Sequence, residues 1–128
     1  MARVLYVDDS PALLLLRAAT LRLAGFDVIA CGTASEGLAR LATSCMDAIV
    51  TDYEMPELDG FAFADHVRAN GCELPIVMCT GSVDLPKKPS RSVDCIVSKG
   101  EVPRVLIDAL TICLQRDAQR VATRVGMA

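Results

Sequence analysis

Arg3-Val4-Leu5-Tyr6-Val7-Asp8-Asp9-Ser10-Pro11 begins as a short, mostly apolar run and stops abruptly at two acids. The run is rich in β-branched and aromatic side chains and suits a strand, while Ser10-Pro11 suits the start of a helix. Three later runs repeat the plan. Ala48-Ile49-Val50 passes through Thr51 into Asp52, Ile76-Val77-Met78-Cys79 into Thr80, and Cys95-Ile96-Val97-Ser98 into Lys99. Nearly continuous apolar character, rather than alternation, marks strands of a parallel sheet buried on both faces. Parallel strands place their C-terminal ends on one edge, so Asp8, Asp9, Asp52, Thr80 and Lys99 are expected to converge there.

Helical patterns separate the runs. Strands are expected near residues 3–7, 27–31, 47–51, 75–79 and 94–98, and helices near 11–24, 34–43, 59–70 and 102–120. Ser10 is the expected N-cap of the first helix and Gly25 its stop; Thr33-x-x-Glu36 matches a capping box. Strands alternating with helices imply right-handed crossovers and a doubly wound α/β domain, whose ligands bind outside the carboxyl ends of the strands. The second strand ends in Cys31-Gly32-Thr33, with no charged group, so it belongs at an edge away from the site. Between the fourth and fifth strands, Pro86 and Pro89 oppose regular helix. That stretch is expected to hold a short or irregular fourth helix. Of the four consecutive leucines in the first helix, Leu13 and Leu16, with Leu21, are expected in the core, leaving Leu14, Leu15 and Ala18 outward.

At 128 residues the chain has the size of one domain, and 52% hydrophobic content supplies ample material to bury. Aromatics are 4%, so the core is aliphatic. A net charge of -3 has the wrong sign for binding nucleic acid by charge alone. No apolar stretch reaches the length of a membrane span, and Asp8 and Asp9 interrupt any signal peptide. The six cysteines, Cys31, Cys45, Cys72, Cys79, Cys95 and Cys113, include no CxxC pair. They read as small buried hydrophobes in a reducing cytosol. His66 reads as a surface residue.

Three carboxylates at one low-dielectric edge require a positive partner. Mg²⁺ takes oxygen ligands and is commonly held by one or two carboxylates together with phosphate oxygens. Lys99 supplies a compact charge for a phosphate oxygen, and Thr80 a hydroxyl donor. No strong general base is evident, which leaves Asp52 as a candidate nucleophile forming an aspartyl phosphate. Taken singly, each residue also has a structural reading. Asp8 or Asp9 would cap a helix, Asp52 would serve a turn, and Lys99 would be a solvated surface charge.

Val7-Asp8-Asp9-Ser10, the stretch from Thr51 through Asp52, Tyr53, Glu54, Met55, Pro56, Glu57, Leu58 and Asp59 to Gly60, Thr80-Gly81 and Ser98-Lys99 together resemble the receiver domain of two-component response regulators. The likeness is to chemotaxis-regulator-like members and covers nearly the whole chain. It implies a flavodoxin-like five-stranded sheet of order 2-1-3-4-5 with helices on both faces. The receiver would span 1–120, with a tail at 121–128. The resemblance makes Asp52 the phosphoacceptor. Asp9, Asp52 and the backbone carbonyl of Glu54 would bind Mg²⁺ directly, with Asp8 acting through a metal-bound water. Thr80 and Lys99 would contact the phosphoryl group. The donor would be a sensor histidine kinase or a histidine phosphotransfer protein, and the output a downstream protein target, with no direct nucleic acid or membrane contact. Such a domain is a cytoplasmic phosphoacceptor and not a turnover enzyme. Two alternatives stand beside it: a degenerate receiver that binds partners without phosphorylation, and an Mg²⁺-dependent aspartyl phosphohydrolase.

The chain departs from the family pattern at two positions. Gly100 follows the lysine where a cis-proline is usual, so a trans Lys99-Gly100 bond is expected. Ile96 occupies the place of an aromatic switch residue and has no hydroxyl. That implies an output surface other than the one around the fourth helix and fifth strand. Glu54, two residues after Asp52, adds charge beside the phosphoryl group.

Overall fold

A computed structural model of the chain describes residues 1–81, 85–86, 90–101 and 103–126. Its elements run β1 (Arg3–Val7), α1 (Pro11–Leu23), β2 (Asp27–Cys31), α2 (Ala34–Thr43), β3 (Ala48–Thr51), α3 (Gly60–Ala69), β4 (Ile76–Thr80), β5 (Cys95–Ser98) and α4 (Pro103–Arg124). The five strands form one parallel sheet of order β2-β1-β3-β4-β5. β2 is an edge strand, as its uncharged C-terminus implied. The chain reverses direction across the sheet between β1 and β3, the crevice where ligands of such sheets sit.

Alternation along the strands divides the core in two. Val4, Tyr6, Val50, Val77 and Cys79 face α1 and α4, where they pack on Ala18, Leu21, Leu106, Leu110 and Cys113. Leu5, Val7, Ile49 and Ile76 face α2 and α3, against Ala34, Phe63, Ala64 and Val67. Helices therefore cover both faces, and a strand buried on each side must be apolar at every position. β3 and β4 are buried throughout.

The element ends mostly follow their sequence signals. Gly25 adopts φ 100° and closes α1, with the Phe26 N–H returning to the Leu21 carbonyl at 3.1 Å. Thr33 accepts from the Glu36 N–H at 3.1 Å, while the Glu36 carboxylate accepts from Gly32 rather than from Thr33 itself. Asp59 caps α3 by accepting from the Ala62 N–H. Ser10 stands at the N-cap of α1 but makes no side-chain cap bond. Its N–H is instead held by Asp8 at 2.9 Å, so the turn belongs to the sheet edge more than to the helix.

The expected phase of α1 is wrong. Ala18 and Leu21 are buried and Leu14 is half-buried against the same cluster, whereas Leu15 is 71% and Leu16 61% exposed. Leu13 also lies outside the core. Positions 14, 18 and 21 are one helical stripe, and four leucines in a row satisfy any phase equally. The cysteine reading holds for Cys31, Cys79 and Cys113, which are buried, and fails at Cys45, which is exposed in the α2–β3 connection. His66 is exposed.

The last helix passes its expected end at 120 and continues to Arg124, where Arg120 and Arg124 both meet Glu73 of the α3–β4 connection. Among the described residues no helix lies between β4 and β5. The expected short or irregular helix there falls largely on 82–84 and 87–89, outside those described. No described helix is long and apolar enough to cross a membrane.

Candidate functional site

Four strand ends build the site. β1 delivers Asp8 and Asp9, β3 delivers Asp52, β4 ends in Thr80, and β5 is followed directly by Lys99. Asp8 is fully buried, Asp52 is 6% and Thr80 3% exposed, while Asp9 is open to solvent. The carboxylate oxygens of Asp8, Asp9 and Asp52 offer one ligand atom each, all within 4.8 Å of one another.

Backbone contacts fix the acids. The Asp8 N–H reaches the Cys31 carbonyl at 3.1 Å, and the Asp52 N–H reaches the Val7 carbonyl at 2.9 Å, so both residues continue the ladder past their strands. One oxygen of each acid accepts a backbone N–H: Asp8 Oδ1 from Ser10 at 2.9 Å, and Asp52 Oδ1 from Tyr53 at 2.7 Å. The other oxygen of each turns to Lys99. Its Nζ lies 2.8 Å from Asp8 Oδ2 and 3.0 Å from Asp52 Oδ2. Lys99 is held in turn at its N–H, which donates to the Thr80 carbonyl at 2.8 Å.

One ammonium cannot balance three carboxylates. Burial pushes the Asp52 pKa up, Lys99 pulls it back, and neighbouring Asp8 adds to the rise; the net direction is upward. Burial alone would lower the Lys99 pKa, but its bonds to Asp8 and Asp52 outweigh this and raise it. Apart from its Lys99 contact, the buried Asp8 Oδ2 has no hydrogen-bond partner among the described residues. A crowded, partly buried, oxygen-only donor set with residual negative charge fits a small divalent cation such as Mg²⁺.

The expected residues Asp8, Asp9, Asp52, Thr80 and Lys99 therefore share one strand edge, and Asp8, Asp52 and Lys99 are in direct contact. Glu54 is exposed in the β3–α3 loop, and its side chain belongs to no ion pair among the described residues. No cis peptide bond occurs among the described residues, in keeping with the trans bond expected at Gly100.

Two contributions emerge only from the structure, one of them from a glycine that the sequence reading already places in a motif. Gly60 packs so tightly under the loop that an added Cβ would collide with the Asp52 carbonyl and with Met78 Cε, while its N–H donates to the Tyr53 carbonyl at 2.7 Å. Gly60→Ala is expected to lower stability by about 1–3 kcal/mol in urea unfolding, because the obstructing oxygen is main-chain and cannot step aside. Arg17 is the other. It lies on the inward side of α1 and reaches the Lys99 carbonyl at 2.6 Å. No clear signal in the sequence marks it, because the phase of α1 is itself ambiguous there.

A family model described as the response regulator receiver domain matches residues 4–111. The C4-dicarboxylate transport transcriptional regulatory protein DctD of Rhizobium meliloti is 35% identical over 83 residues, which is 65% of this chain and 18% of that protein. The chain spans 18%, 15% and 13% of the lengths of the first three curated relatives it matches. Among solved structures, the chemotaxis response regulator CheY4 of Vibrio cholerae is 30% identical with a TM-score of 0.78, covering 88% of this chain and 98% of its own. The response regulator TrrA of Thermotoga maritima, determined in complex with Mg(2+)-BeF, is 24% identical with a TM-score of 0.82, covering 88% and 99%.

Proposed function

The chain belongs to the response regulator receiver domain family, and from that premise we propose that it takes a phosphoryl group onto Asp52, with Mg²⁺, from the phosphohistidine of a sensor kinase or phosphotransfer protein. The observation that carries this reading is the set of three carboxylates within 4.8 Å, facing a single lysine at the C-terminal strand edge. Asp9 and Asp52, with the Glu54 carbonyl, would hold the metal, and Asp8 would act through its bound water. When bound, Mg²⁺ supplies charge neutralisation for the incoming phosphoryl oxygens.

The protein's own groups do the rest. A carboxylate oxygen of Asp52 attacks phosphorus as the donor's P–N bond breaks, and the bonding electrons leave with the imidazole nitrogen. Tyr53 N–H keeps the other Asp52 oxygen in place. Lys99 already touches Asp52 Oδ2 and transfers its contact to a phosphoryl oxygen as one arrives. Thr80, at the end of β4, offers its hydroxyl to another. Catalysis by such a set is mostly positioning and charge placement. The chain acts as a phosphoacceptor whose altered surface then engages a protein target.

The test is incubation with Mg²⁺ and a small-molecule phosphodonor, followed by intact mass. A phosphate-sized gain is expected in the wild type and none in Asp52→Ala; no gain in either would remove the reading.

The exposed leucines of α1 suit the donor protein. Leu15 and Leu16 are 71% and 61% exposed on the helix that follows the Asp8-Asp9 turn, while Leu14, half-buried on the core, is not available. Leu16→Glu is expected to slow transfer from a cognate phosphodonor protein about tenfold, the loss of one interface anchor. Labelling by a small phosphodonor should stay at the wild-type rate, and equal loss with both donors would refute docking on α1.

A further inference from the structure

We propose that Arg17 is a positioning residue for Lys99, an inference that rests on the phosphoacceptor reading above. Arg17 Nη2 donates to the Lys99 carbonyl oxygen at 2.6 Å, and Nη1 lies 4.0 Å from Cys79 Sγ at the end of β4. Among the described residues Arg17 forms no ion pair; its half-buried guanidinium is committed to a main-chain oxygen and a thiol. A half-buried guanidinium loses part of its hydration, which those contacts replace, and its planar fork restrains what it binds.

The contact falls where the backbone needs restraint. Lys99 is followed by Gly100, the residue with the widest conformational freedom. Packing does not restrict that glycine, since the nearest atom to an added Cβ is Ser98 Oγ at 3.5 Å. The Lys99 N–H is fixed by the Thr80 carbonyl at 2.8 Å. Arg17 holds the carbonyl end, tying the turn after β5 to α1 across 82 residues of sequence. With both ends of its peptide pinned, Lys99 sends Nζ between Asp8 and Asp52 at 2.8 and 3.0 Å. The Gly100 N–H of the same peptide is held by Ser98 Oγ at 3.2 Å, so losing the Arg17 contact leaves the peptide with a single short-range anchor, and the ammonium's aim loosens though its charge stays.

Arg17 touches no reacting atom, so its effect must pass through Lys99, and a double-mutant cycle reads this directly. Labelling rates with a small phosphodonor and saturating Mg²⁺ are compared for wild type, Arg17→Met, Lys99→Ala and the double variant. Arg17→Met is expected to label about tenfold slower than wild type, a misplaced group rather than a missing one. Its Mg²⁺ affinity by calorimetry should be unchanged. In the Lys99→Ala background the same substitution should have no further effect. Arg17→Gln, polar but too short to reach the carbonyl, runs through the same cycle should Arg17→Met fail to fold. An unlabelled wild type would remove the phosphoacceptor reading and this inference with it. A labelled wild type with Arg17 variants at the wild-type rate, or with equal fractional losses in both backgrounds, overturns this inference alone.

Discussion

Lys99→Ala is expected to slow labelling of Asp52 by about 10²–10³-fold, the loss seen when a preorganised charge is removed from a developing anion. In metal-free buffer it should also lower stability by roughly 3–5 kcal/mol, because it strips the shared cation from two buried acids. The geometry sets both figures. Nζ sits 2.8 Å from Asp8 and 3.0 Å from Asp52, and these acids are 0% and 6% exposed. Water can screen the freed charges only in part, because Asp8 and Asp52 stay largely buried. Lys99 has a folded pKa raised above its ordinary 10.5. Its contribution is therefore complete below that ordinary value and lost only as pH rises through the folded one, so it is constant across neutral pH. The mutant's deficit should instead shrink on acidification, as Asp52 takes up a proton. Saturating Mg²⁺ should recover much of the stability but little of the rate, since the metal neutralises the acids without standing where Nζ does. Urea unfolding with and without Mg²⁺, beside single-turnover labelling, separates the two. A rate within threefold of wild type would mean that Lys99 serves the fold and not the transfer.

The sheet and its polar edge were legible because one constraint governs both. A strand buried on both faces must be apolar at each position, so the first polar residues mark where the apolar core ends, and that point is also where ligands meet the sheet. Asp52, Thr80 and Lys99 are conspicuous for this reason. The orientation of α1 was illegible because Leu13 to Leu16 are chemically identical, and a stripe of 14, 18 and 21 competes evenly with one of 13, 16 and 21. Only the packing of Ala18 and Leu21 on Val4 and Tyr6 decides it. Arg17 was hidden for a related reason. Its partner is a main-chain oxygen 82 residues away, and no side-chain pattern encodes a carbonyl. The last turns of α4 carry weak signals of their own, and there Arg120 and Arg124 meet Glu73 from another connection. Gly60 was noted as part of a motif, yet its requirement for bare space beneath Asp52 emerges only once Met78 and the β3–α3 loop are in place.

Asp52→Asn should produce a crossing of stabilities, higher than wild type without metal and lower with it. Burial is the largest influence on Asp52 and raises its pKa despite the opposing Lys99. A carboxyl with a raised folded pKa binds its proton more tightly in the fold than in the unfolded chain. Stability therefore falls as pH rises from the ordinary value of 3.8 through the folded one. At neutral pH the ionised Asp52 is a net burden, and the neutral amide of similar shape removes it. In chelator at pH 7 the variant should melt above wild type, and the gap should close on acidification, where wild-type Asp52 is itself neutral. Mg²⁺ reverses the order. A ligand at a hundred times its Kd, bound to the folded state alone, adds about 2.7 kcal/mol. Wild type should gain on that scale, while the variant, short of one carboxylate among three, should gain far less. A variant that melts below wild type in chelator would show that the Lys99 pair outweighs burial. The crowding of Asp8, Asp9 and Asp52 would then be no reason for the site to bind a metal.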